Sequence, residues 1–213
     1  MKRSLLSLIC VVALSTAAGV HAKSSVNKSV SVPDNGSESS LSSVNGSVTV
    51  GRSATVGDVE SVNGSIRIES GAFVDSIESV NGSVRIDESV QIEGSIDTVN
   101  GAVSIDPNTR ILGKVSTVNG GVKARNALIE NDIETYNGTV ELLDGTIVTG
   151  DLYVRKSNSS GWFNKKNKPT RIIIGPGSEI QGDLYFERPV RLSVDKSARI
   201  GEVHGDDVEY DMK

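Results

Sequence analysis

The sequence predicts an all-β chain wound as a single-stranded parallel β-helix, in three-sided coils set by a short internal repeat. Three observations lead there. Asn-Gly pairs start at positions 45, 63, 81, 100, 119 and 137, so that successive starts differ by 18, 18, 19, 19 and 18. A finer apolar series recurs every six residues, through Val44, Val50, Val56, Val62, Ile68, Val74, Val80, Ile86 and Ile92. Aromatics make up only 4% of the 213 residues, which suits a narrow core of β-branched side chains better than a conventional globular one.

A fixed period marks a repeat architecture. On an α-helix a strict period of six would carry the apolar residue around the whole surface. Three short sides of six residues, each pointing one such residue inward, accommodate it. The series resumes after one inserted residue at Val99, Ile105 and Ile111, and after another at Val118 and Ala124. Val48, Ile66, Val84, Val103, Val122 and Val140 form a further apolar column, and Val59, Ile77, Ile96, Val115 and Ile133 another. They alternate with Ser, Thr, Arg and Glu, as half-buried strands do. Asn-Gly also favours antiparallel hairpins, but a hairpin meander gives no reason for a six-residue register. The pair is therefore placed at a corner, where glycine or asparagine relieves an awkward backbone angle. Stacked coils then bring Asn45, Asn63, Asn81, Asn100, Asn119 and Asn137 into a ladder of side-chain amides.

In chain order, residues 1–22 read as a signal peptide. Lys2 and Arg3 precede a mostly apolar stretch from Leu5 to Val20, and Val20-His21-Ala22 predicts cleavage after Ala22 and export to the periplasm or the exterior. The apolar run is too short for an anchor and no other segment approaches a span, so no integral membrane segment is expected in the mature chain. Cys10 lies in this peptide, behind Ile9 rather than the small residue that lipid modification needs. The mature chain would hold no cysteine and no disulfide. Residues 23–42, rich in Ser with Pro33, Asn35 and Gly36, read as a leader or N-terminal cap. The β-helix is expected over 43–203. Within it, 155–170 breaks the pattern and reads as a projecting loop carrying Trp162, Phe163, Lys165, Lys166 and Lys168. Residues 204–213 form an acidic tail, with Asp206, Asp207, Glu209 and Asp211, that would blunt a terminal strand edge.

No catalytic signature emerges. The mature chain has one histidine, His204, no zinc motif and no phosphate-binding loop before a helix, so no catalytic residue is assigned. Loss of Lys2 and Arg3 takes the formal charge from -5 to -7, which argues against nucleic acid as a partner. Glu60, Glu78 and Asp97 share one coil position, with Glu134 further along. Adjacent carboxylates of this kind could share Ca²⁺ or act as acid and base on a glycan; a solvated acidic face is the plainer account. Arg67, Arg85 and Lys123 form a second row suited to pairing with neighbouring carboxylates. The aromatic and basic loop is the binding candidate, for an anionic glycan, a lipid surface or a protein, while the bland account has its aromatics covering the helix side.

Ala54-Thr55-Val56-Gly57-Asp58-Val59 and Val148-Thr149-Gly150-Asp151-Leu152 resemble coils of the bactofilins, polymer-forming bacterial β-helical proteins, and are similar to repeats of bacterial adhesin-like proteins. The resemblance spans residues 43–203. It implies a right-handed winding, preferred here although six-residue sides also suit a left-handed one, and it implies a homo-oligomer. It carries over no catalytic residue, and the signal peptide is a departure from the bactofilin pattern. The expectation is an exported, non-enzymatic structural or adhesin-like protein that mediates self-association or contacts cell-envelope glycan or protein. The alternative is a β-helical polysaccharide-binding or polysaccharide-cleaving enzyme.

Overall fold

The structure, a computed structural model, describes residues 22–156 and 168–211. Short β-branched runs such as Val48–Val50, Ile66–Ile68 and Val84–Ile86 alternate buried and outward residues. Each is too short to bury a sheet face alone, and each pairs in parallel with its equivalent one coil away. Ten such strands, from Val30–Val32 to Val208–Tyr210, stack into what we term the broad face.

The chain then turns into a narrow face. Here Gln91–Ile92, Arg110–Ile111, Leu128–Ile129, Ile147–Val148 and Glu179–Ile180 stack in order. A second turn leads to the ladder face, which includes Ile96–Asn100, Val115–Thr117, Ile133–Thr135, Leu152–Val154 and Leu184–Phe186. In three early coils the narrow and ladder strands run on without a break, as Ser37–Ser43, Thr55–Asn63 and Phe73–Asn81. The result is a three-sided parallel β-solenoid. Ten coils at the β spacing make a rod about 40 Å long. Among the described residues no helix is long and apolar enough to cross a membrane.

The first coil lies inside the segment read from sequence as a leader. Ala22–Ser25, Val30–Val32 and Ser37–Ser43 pair in register with the coil that follows. At the other end Val203–His204 and Val208–Tyr210 add strands, so part of the acidic tail belongs to the sheets.

The core is a set of columns. Ile68, Ile86 and Ile105 stack from the broad face, Ile92, Ile111 and Ile129 from the narrow face, and Ile77, Ile96, Val115 and Ile133 from the ladder face, all buried. One sequence expectation is corrected here. Val44, Val62, Val80, Val99 and Val118 do not point inward; they stand half-buried on the outside of the ladder face. The inward neighbours are instead Ser43, Ser61, Ser79, Thr98 and Thr117, each buried. A strict apolar period hides this, because valine suits either side of a strand whose outer face is tightly stacked.

The buried hydroxyls explain the repeated phrase. Ser61, Ser79, Thr98 and Thr117 donate to the carbonyls of Gly64, Gly82, Gly101 and Gly120, at 2.9, 3.0, 3.1 and 2.9 Å. Each satisfies a corner carbonyl that would otherwise face the core unpaired. The glycines are required by stacking and not by backbone angle, a second correction. A Cβ at Gly101 would overlap the carbonyl of Gly82 one coil earlier, and the same holds up the column. No Asn-Gly glycine has a positive φ; the non-glycine residues that do include Asn35, Ser53, Ser89, Asn108 and Asn126, between 42° and 61°, at the opposite corner between the broad and narrow faces.

Candidate functional site

The ladder face carries the functional candidates of the described residues. Its edge is the asparagine ladder. Asn45, Asn63, Asn81, Asn100, Asn119 and Asn137 each donate through Nδ2 to Oδ1 of the asparagine one coil earlier, at 2.9–3.0 Å. The lowest acceptor is Asn27, a rung that the Asn-Gly search passes over because Lys28 follows it. The top rung is capped: Arg188 Nη1 donates to Asn137 Oδ1 and to the Tyr136 carbonyl.

Beside the ladder runs the acidic column. Glu60, Glu78 and Asp97 occupy paired positions on adjacent strands, followed by Ser116 and Glu134. Partial burial, followed by repulsion from Glu60 and Asp97, raises the pKa of Glu78. Burial also raises that of Asp97, against the opposing pull of Lys114. Among the described residues no group of three or more acidic, histidine or cysteine side chains is arranged to hold a metal ion. The three carboxylates thus share a column without forming a cation cage.

On the broad face the second charged row pairs across coils. Arg67 meets Asp87 at 2.5 Å, Arg85 meets Asp106 at 2.9 Å and Lys123 meets Glu141 at 2.9 Å. These pairs are solvated and each is worth about 0–1 kcal/mol.

Further along, the acidic column turns aromatic. Glu134 pairs in register with Tyr153, Tyr153 with Tyr185, and Tyr185 with His204. The Tyr153 and Tyr185 rings stack with centroids 5.1 Å apart, and Tyr185 and His204 stack at 4.7 Å, both pairs 12° from parallel. Arg155 covers the Tyr153 ring at 4.1 Å from its centroid. The Tyr153 hydroxyl donates to Asp151 Oδ2 at 2.6 Å. That bond, then burial, pushes its pKa up to about 12. The same bond, with one from the Asp183 backbone N–H, lowers the pKa of Asp151. Sequence reasoning missed this stack because the segment 155–170 intervenes, which puts Tyr153 and Tyr185 well over one coil apart along the chain. The signal was present in the matched phrases Gly150-Asp151-Leu152-Tyr153 and Gly182-Asp183-Leu184-Tyr185.

A cleft of about 300 Å³ opens where the ladder ends, lined among others by Asn137, Gly138, Thr139, Lys168, Arg171 and Arg188. Of the loop residues expected to bind, Lys168 is an exposed part of this cleft. Trp162, Phe163, Lys165 and Lys166 lie outside the described residues. Arg188 Nε is buried without a hydrogen-bond partner, and burial lowers the pKa of its guanidinium.

No family model, no curated protein and no solved structure matches the chain.

Proposed function

We propose that the protein is a non-enzymatic structural or adhesin-like scaffold, exported to the cell envelope, that acts through self-association and contact with envelope components. The observation that carries this reading is the state of the last coil. Val194, Ala198, Ile200, Val203 and Val208 pack on the core but are only partly buried. The equivalent positions one coil earlier, Ile174, Ile180, Leu184 and Val190, are buried. Val208–Tyr210 pairs with one neighbour, Val190–Val194, so its outer edge is unpaired among the described strands. A half-covered core above an open strand edge is suited to a second chain, which would complete both the packing and the hydrogen-bond ladder. The bactofilin-like and adhesin-like phrases of the coils support the same reading, as does the basic and apolar start of the sequence for export.

The test is light scattering of the purified mature protein across a low-micromolar concentration series, with and without Ca²⁺. Growth of mass with concentration supports self-association. A fixed monomer at every concentration overturns it.

A further inference from the structure

We propose that the cleft at the end of the asparagine ladder is a binding site for a phosphate monoester of about monosaccharide size. Three cations meet there from two segments: Lys168 and Arg171, at the start of the strand Thr170–Ile174, and Arg188 just ahead of the strand Val190–Val194. No carboxylate is among the lining residues. This is unusual for a chain of net charge -5, in which most arginines of the solenoid are paired. Arg67, Arg85, Arg110, Arg155, Arg191 and Arg199 each meet a carboxylate within 4 Å. Among the described residues Arg52, Arg125, Arg171 and Arg188 have no such partner, and of these Arg171 and Arg188 line one cleft together with the unpaired Lys168.

The chemistry of the lining narrows the ligand. Arg188 spends its described bonds on neutral acceptors, the Tyr136 and Lys168 carbonyls and Asn137 Oδ1. Its Nε–H is buried without a partner and no described carboxylate meets its charge, so an anion in the cleft would compensate the guanidinium electrostatically. Three cations match a dianionic group better than a carboxylate, and a phosphate monoester carries about -1.5 to -2 charges at neutral pH. Planar guanidinium groups suit its oxygens. The Thr139 hydroxyl and the Asn137 amide line the same space and suit the hydroxyls of an attached sugar. The volume of about 300 Å³ is at the small end of ligand pockets, which run from about 300 to 1,000 Å³.

This site does not depend on self-association, and its test reads neither mass nor assembly. The purified protein is titrated calorimetrically with glucose 6-phosphate, inorganic phosphate and glucose. In a parallel arm it is mixed with vesicles of phosphatidic acid in phosphatidylcholine, which present the same group on a lipid. The expected result is saturable binding of glucose 6-phosphate at one site, weakened by added salt, with no binding of glucose. Arg171→Gln and Lys168→Gln, both at exposed positions that leave the ladder untouched, should each weaken it about tenfold. Arg188→Gln should abolish it, but that variant also removes the ladder cap, so the two exposed variants carry the test. Binding to the vesicles alone, lost in Arg171→Gln, would assign the phosphate to a lipid head group and still support the site. Absence of saturable binding to glucose 6-phosphate, to inorganic phosphate and to the vesicles, or equal affinity in the wild type and both exposed variants, overturns the proposal.

Discussion

Arg188 terminates the asparagine ladder at Asn137, reaching back across 51 residues of sequence to bond the last side-chain amide. The same guanidinium meets the Tyr136 carbonyl. By register the next rung falls at Lys156 and Arg188 lies one coil further on, so its side chain reaches back to the ladder while it lines the cleft. The end of a repeating structural device and the beginning of a candidate binding site are therefore one side chain.

The ladder is cooperative in its arrangement, since an interior rung both donates and accepts. Asn81→Ala removes the bonds to Asn63 and from Asn100, at 3.0 and 2.9 Å. Because the amides are solvent-exposed, the expected loss is modest, about 1–2 kcal/mol for the two bonds together. The midpoint of denaturant unfolding measures it.

Gly101→Ala and Gly145→Ala separate two reasons for glycine. At Gly101 the new methyl would collide with the Gly82 carbonyl, whereas at Gly145 it meets nothing within 4 Å but sits at φ +83°. Gly101→Ala should cost about 3 kcal/mol or more, since backbone must move. Gly145→Ala should cost about 1–2 kcal/mol, the left-handed penalty alone. Paired thermal melts would show the order, and a reversed order would sink the close-stacking account of the Asn-Gly corner.

Thr117→Val tests the buried hydroxyl column. The side chain keeps its shape but loses the 2.9 Å bond to the Gly120 carbonyl and the 3.1 Å contact with the Thr135 hydroxyl. An unpaired carbonyl next to an apolar core should cost about 1–3 kcal/mol. By contrast Val118→Thr, half-buried just past the end of that strand, should change the unfolding free energy by less than about 0.5 kcal/mol.

The acidic column sets a pH dependence whose sign can be worked out. The pKa of Glu78 is raised in the folded state by burial and by Glu60 and Asp97, so the folded protein binds this proton more tightly than the unfolded chain does. Its charged form therefore costs stability at neutral pH. The cost is relieved as pH falls through the raised folded value, and relief is complete below the unfolded value near 4.5. Glu78→Gln should raise Tm at pH 7 and leave a smaller gain on acidification. Calorimetry of both proteins between pH 7 and about pH 4 checks this. An unchanged pH profile would show that the column is fully solvated.

Much of this architecture was legible in the chain, and the failures have physical causes. The spacing of Asn-Gly pairs located the ladder rung by rung. The first rung escaped because Asn27 is followed by Lys28. In the structure the glycine of each later rung is forced by the carbonyl beneath it, as Gly46 is by Lys28, and no described coil lies below Lys28 to impose the same demand. Period alone puts the column from Val44 to Val118 inside, because it does not tell inward from outward when valine occupies both. The Ser and Thr immediately before it were the better guide, since a small hydroxyl that reaches a corner carbonyl is fit for burial. The cleft was not legible at all, apart from Lys168, because Asn137, Arg171 and Arg188 come together only through the stacking of coils.

The strict register of the ladder also makes the rod a measuring device. In this part of the rod the strands of each coil pair only with those of the coils beside it, so excising the single coil from Gly64 to Asn81 would join like to like, with Asn63 continuing into Gly82. Every column would close over the excision, and the molecule would be shorter by one strand spacing, about 4.8 Å. The distance held between its two ends is thus counted in whole coils, and a lineage could tune that distance by copying or dropping a coil without redesigning any surface.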